Sequence, residues 1–197
     1  MSILRIYNCF HPILREKAQT VEKFDQELKD FTDNMLATMY NADGIGLAAN
    51  QVGDRRAIYT VDINTGDEDK SKYTPIVMIN PIILSFDDEI TTYQEGCLSI
   101  PKYYEDVDRP AAVQVQYTDV DMKLHTLEAD DILARVIQHE YDHLKGILFF
   151  DRITQIKRAL GKKKLNKIKR GELDTFYPMI NPDGTEYEPT ESKKSKI

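Results

Sequence analysis

The sequence predicts an α+β fold, with mainly antiparallel strands packed around one central helix. Three observations carry this reading. A helical pattern between Asp130 and Gly146 sets Ile132, Leu133, Val136, Ile137 and Leu144 in stripes that also contain ionisable side chains. Val113, Val115 and Tyr117 alternate with Gln114 and Gln116, the period-2 pattern of a half-buried strand. A turn at Asp119 to Asp121 then leads into Lys123 to Leu127, which reads as the second arm of a hairpin.

The remaining elements follow in order. An extended segment, Ile3 to Tyr7, opens the chain. Leu28, Phe31, Met35 and Met39 then share one face of a helix that starts at the N-cap Asp25, runs to about Ala42 and is closed by Gly44. Strand-like runs cover Arg56 to Val61 and Pro75 to Leu84, with Pro81 marking a bend or an edge because proline cannot donate to a ladder. Between them Asn64 to Ser71 is polar and charged, as a surface loop would be. Glu89 to Tyr93 is a further strand-like run. After the central helix, Gln155 to Lys169 forms a basic helix that Ile156, Leu160, Leu165 and Ile168 are expected to hold to the domain. Residues 1–178 are read as one catalytic domain, and 179–197 as a polar tail, expected to be disordered from about Asp183.

The central helix carries His139-Glu140-Tyr141-Asp142-His143, which spells HExxH. Positions i and i+4 lie on one helical face, so both imidazoles can reach one metal ion. Glu140 is rotated about the axis, where its carboxylate can take a proton from a water that the metal has acidified. Read alone, the motif also fits a solvated helix with two surface histidines. The apolar stripes argue otherwise, since buried His and Glu side chains without partners are costly.

Two imidazoles leave a catalytic site one protein ligand short. No histidine lies downstream, because the four are His11, His125, His139 and His143. Upstream, Cys97 stands in Glu95-Gly96-Cys97-Leu98-Ser99, just after a strand-like run. A thiolate and two imidazoles would make a tetrahedral site with one open position. Cys9 reads as a small buried hydrophobe. Gly44-Ile45-Gly46-Leu47-Ala48-Ala49-Asn50-Gln51 fails the dinucleotide pattern, because Ala49 stands at its last glycine. It reads instead as a helix end and tight turn that a ligand backbone can approach, with Gln51 able to donate to a developing oxyanion.

Gly44 to Gln51, Glu95 to Ser99 and Gln138 to His143, in this order and spacing, resemble the three motifs of the peptide deformylase family over about Leu4 to Ile153. The resemblance implies an α+β fold around a central metal-binding helix. It implies metal ligands at Cys97, His139 and His143, a general base at Glu140, and oxyanion donors at the Gln51 amide and the Leu98 backbone N–H. Asn50 and Tyr141 fall where the family varies. One divalent metal is implied, ferrous iron natively, with zinc, nickel or cobalt as substitutes. The substrate class would be the N-formyl-methionyl end of a nascent peptide. Ile45, Ile132 and Val136 are candidates to line the methionine slot, and the peptide backbone could pair with Ile45–Gly46 as an added strand.

Composition agrees with that reading. With 41% apolar and 30% charged residues the chain is that of an ordinary globular protein, and a net charge of −7 argues against a general nucleic-acid binder. Two distant cysteines do not form a disulfide framework, and there is no signal-peptide pattern or span-length apolar run, so a cytoplasmic enzyme with no membrane partner is expected. Eight Lys or Arg between Lys157 and Arg170 give a cationic segment that could dock on ribosomal RNA. Two other classes share parts of the pattern: a general HExxH metallopeptidase, and a non-catalytic metal-binding module associated with the ribosome. The Cys97 ligand counts against the first, and an intact Glu140 against the second.

Overall fold

The computed structural model describes residues 1–64, 74–172 and 174–189. Most of the loop expected at Asn64 to Ser71 therefore lies outside the described residues. In chain order the elements are β1 (Ile6–Tyr7), α1 (Gln26–Asn41), β2 (Gly46–Ala48), β3 (Ile58–Val61), β4 (Ile76–Phe86), β5 (Ile90–Cys97), β6 (Ile100–Pro110), β7 (Ala112–Thr118), β8 (Leu124–Asp130), α2 (Asp131–Leu144), α3 (Phe149–Arg152), α4 (Gln155–Lys169), β9 (Met179–Ile180) and β10 (Glu186–Tyr187). Short 3-10 turns cover Pro12–Arg15 and Ala49–Val52.

Strands β2, β3, β4, β7 and β8 form one antiparallel sheet in that order, and β5 and β6 form a separate antiparallel ribbon. Helix α2 packs between them. One apolar cluster joins Val136, Ile137 and Leu144 to Tyr59, Met78, Val113 and Val115 of the sheet. On its other side Phe149 and Tyr103 belong to a second cluster that includes Ile6, Leu148 and Met179. A third gathers Leu28, Met35 and Met39 of α1 against Leu47 and Ile58. The alternation along β7 and the repeat along α1 account for these contacts, because each buries one face only.

Several boundaries differ from the sequence reading. Asp25 caps α1 as expected, accepting from Leu28 N at 3.0 Å. Its C-cap, however, is Ala42, and the residue in left-handed conformation is Asp43 rather than Gly44. Pro81 marks a bulge next to Asn80 (φ 51°), not an edge, since β4 is paired on both sides. The Asn80 side chain bridges both backbone groups of Val21 at 2.8 Å, which stabilises the kink. Strand β6 escaped the sequence reading because its inward face carries Arg109, an ion that breaks the apolar alternation. Helix α2 ends as expected at a glycine: Gly146 (φ 72°) donates to His143 O at 3.0 Å and Ile147 N donates to Asp142 O at 3.0 Å, a Schellman motif.

The C-terminal region needs two corrections. The tail expected from 179 begins instead with β9, which pairs in parallel with β1 and antiparallel with β10. Strands of two residues are too short to show a period, and β9 finds its partner β1 near the other end of the chain. On α4, Leu165 and Ile168 are buried as expected, but Ile156 and Leu160 are 74% and 81% exposed. They lie on the opposite face of α4 from the one that packs.

Candidate active site

One cleft of about 420 Å³ opens between β2, the β5–β6 ribbon and α2, a size ordinary for a small-ligand site. Along α2, His139 and His143 stand one turn apart with ring centroids at 5.1 Å. Cys97 arrives at the end of β5, where a register shift between Gly96 and Cys97 breaks the ladder before the turn to β6. Its Sγ lies 3.3 Å from His143 Nε2, and one donor atom from each of Cys97, His139 and His143 falls within 4.8 Å of the others.

This donor set fits a divalent metal. A sulfur and two imidazole nitrogens this close can converge on one ion at ligand distances of roughly 2.0–2.3 Å. Burial alone would depress His139, but hydrogen bonds to Cys97 and Glu95 hold its pKa well above the ordinary value. Glu95 Oε2 accepts from His139 Nδ1 at 2.9 Å, which leaves the other ring nitrogen for a ligand. Phe149 stacks on the His139 ring at 6.0 Å and limits its rotation. For His143 burial comes first, and with the charge of His139 it keeps the imidazole well below its usual pKa and neutral.

The sequence pattern gives Glu95 no role of its own. The structure makes it the hub of a buried network. It accepts from Arg109 Nε at 2.7 Å and Nη2 at 3.0 Å, and from Arg135 Nη1 at 3.0 Å. Arg109 also reaches Asp142 Oδ2 at 2.6 Å, and Arg152 closes on the same carboxylate. Burial would raise the Glu95 pKa, but His139 and Arg109 outweigh it and hold the carboxyl far below the carboxylate range. One signal was available: Glu95 and Cys97 are two apart on a strand and therefore share a face.

Glu140 is buried, and its Oε2 has no hydrogen-bond partner, so that oxygen remains available as a proton acceptor. Burial, reinforced by the Glu95 charge and opposed by His139 and Arg109, pushes its pKa up to about 7. A Cβ at Gly46 would overlap the Glu140 carboxylate and Val136, so only glycine lets β2 pass this close. The Gln51 carbonyl accepts from Ala48 N at 2.8 Å, and this fixes its amide nitrogen 3.5 Å from Cys97 Sγ and 3.2 Å from Ser99 Oγ. Asn50, given no role from sequence, donates to His143 O at 2.6 Å and ties this turn to the end of α2.

Leu98, Ile45, Gly46, Ile132 and Val136 all line the cleft. Ile45 and Ile132 are partly exposed there, at 36% and 37%, while Val136 is buried. Among the described residues β2 pairs on one side only, with β3. The cleft also has a wall that the sequence reading did not foresee, formed by Thr175, Phe176 and Tyr177 beyond α4.

Comparison with known proteins gives a consistent result. A sequence model of the polypeptide deformylase family matches residues 3–159, which leaves the Thr175–Tyr177 wall outside the match. A peptide deformylase of Agrobacterium fabrum is 48% identical over 162 residues, covering 82% of this chain and 94% of that protein. One from Brucella suis is 46% identical over 157 residues, 80% of this chain and 88% of its own. Among solved structures, a Synechococcus elongatus peptide deformylase in complex with actinonin superposes with TM-score 0.75 at 41% identity, covering 86% of this chain and 87% of that one. A Legionella pneumophila peptide deformylase gives TM-score 0.78 at 36% identity, covering 87% and 98%.

Proposed function

The chain belongs to the polypeptide deformylase family, and from that membership we infer the role of each cleft residue in removing the formyl group. It is a hydrolase that takes the N-formyl group from the initiator methionine of newly made polypeptides. The observation that carries the assignment of roles is the convergence of Cys97, His139 and His143 beside a buried, half-unpartnered Glu140.

Cys97, His139 and His143 would hold the metal ion. When bound, the metal supplies a nucleophilic water at neutral pH and polarises the formyl carbonyl. Glu140 accepts the proton of the attacking water and returns it to the methionine nitrogen as the C–N bond breaks. Charge that develops on the carbonyl oxygen is met by the Gln51 amide and the Leu98 N–H. Gln51 has no freedom to turn away, because its own carbonyl is bonded to Ala48. The unpaired edge of β2 at Ile45–Gly46 takes the peptide as an added strand, and Ile45, Ile132 and Val136 receive the methionine side chain. Formyl carries only hydrogen beyond its carbonyl, so a narrow centre excludes larger acyl groups.

The native metal is ferrous iron, as the family resemblance implies; the donor set also suits zinc, nickel and cobalt. Elemental analysis of protein purified without air tests this, and stoichiometric zinc with no iron would overturn it. No helix among the described residues is long and apolar enough to cross a membrane. A cytoplasmic location is supported by two free cysteines, one of them placed to ligate a metal. The deciding assay compares formyl-methionyl peptides with the same peptides unformylated. Turnover is expected only of the former, and cleavage of internal or unformylated bonds would restore the general metallopeptidase reading.

The cationic helix α4 docks on ribosomal RNA and brings the enzyme to emerging chains. Support comes from its exposed face, where Ile156 and Leu160 accompany basic residues on a chain that is acidic overall.

A further inference from the structure

The turn that carries one oxyanion donor is held in place by both ends of the chain. Leu98 and Ser99 are the two residues between β5 and β6, with Cys97 paired to Ile100 across the turn. A two-residue turn has few ladder bonds of its own, so its backbone direction depends on what its carbonyls meet. The Leu98 carbonyl accepts from Tyr177 Oη at 2.8 Å. The next carbonyl, of Ser99, accepts from Cys9 N at 2.9 Å.

These two donors are not independent. Cys9 follows β1 and Tyr177 precedes β9, and the two strands pair in parallel, with Ile6 N on Pro178 O at 3.1 Å and Asn8 N on Ile180 O at 2.8 Å. Tyr187 of β10 adds a bond from its hydroxyl to Thr175 O at 3.2 Å. The Tyr177 ring is buried, which holds the hydroxyl beside the turn.

We propose that Tyr177 is a positioning residue for the deformylation reaction: its hydroxyl anchors the Leu98 carbonyl and so limits movement of the turn whose Leu98 N–H meets the formyl oxygen. The inference rests on the oxyanion role given above to Leu98 and Gln51. It assigns a task in the reaction to a residue that lies outside the family match.

The test is Tyr177→Phe in the full-length, metal-loaded enzyme, which keeps the ring and removes one hydroxyl. With a formyl-methionyl tripeptide, kcat is expected to fall about tenfold with KM unchanged, because the lost alignment matters only where charge develops. Metal content, measured on the same sample, is expected to remain stoichiometric, so the loss is not one of active fraction. Gln51→Ala and the double variant complete a cycle. If Tyr177 acts through the oxyanion site, the double variant loses less than the product of the two single losses. A wild-type kcat in Tyr177→Phe, or losses that simply multiply, overturns the role of Tyr177 while leaving the oxyanion site intact. No loss of kcat in Gln51→Ala alone would instead remove the oxyanion assignment, and this inference with it.

Discussion

At the level of single residues, the proposed roles separate Cys97, His139 and His143, which would hold the metal, from Glu140, which would move protons. Glu140→Ala removes only the proton acceptor, so metal content and fold are expected to survive while kcat falls by about two to four orders of magnitude. Loss of metal in that variant, measured by elemental analysis, would make Glu140 structural. Cys97→Ser should do the reverse and weaken metal binding, since an alcohol is a far poorer ligand than a thiolate. Glu95 was the residue least visible beforehand. Arg109 and Arg135 depend on it as a buried counter-charge, so Glu95→Ala is expected to cost about 3–5 kcal/mol, read as a lower urea midpoint. A variant with wild-type stability would show that other acceptors replace it.

At the scale of elements, α2 was legible because its period, its HExxH spacing and its closing glycine all agree. Strand β2 was harder to see: three residues give no period, and their role comes from lying against Glu140. Gly46→Ala tests that closeness. The added methyl must displace the carboxylate or the strand, and turnover is expected to drop without loss of the three ligands. Helix α4 presents the opposite case, where periodicity misled. Four apolar residues suggested one buried face, yet Ile156 and Leu160 point outward. Reversing the charges of Lys163 and Lys167, on α4, should weaken co-sedimentation with ribosomes at moderate salt and spare activity on a free formyl-peptide. Unchanged co-sedimentation would leave the exposed stripe without a partner.

For the whole molecule, the three donors come from the β5–β6 ribbon and α2, so an ion bound across them would couple binding to folding. Chelation is expected to lower the melting temperature, and re-addition of a divalent metal to restore it, because an ion that binds only the folded state stabilises it by mass action. A melting temperature indifferent to chelator would mean that the three donors do not share an ion. The N- and C-terminal segments are joined through β1 and β9, close to the Leu98–Ser99 turn.

The reaction class was legible in the motifs. HExxH spacing fixes two imidazoles and a carboxylate on one helix, the three ordered motifs point to the reaction, and local periodicity places α1, α2, β3, β4 and β7. How charges are shared and how the terminal strands pair depends on tertiary packing. Glu95 meets His139, Arg109 and Arg135 only because a strand, a ribbon partner and a helix converge. Tyr177 reaches Leu98 across 79 positions. Local propensity reports on neighbours three or four residues away. Contacts of long sequence separation depend on how packed elements face one another, and that information is not carried by any one segment.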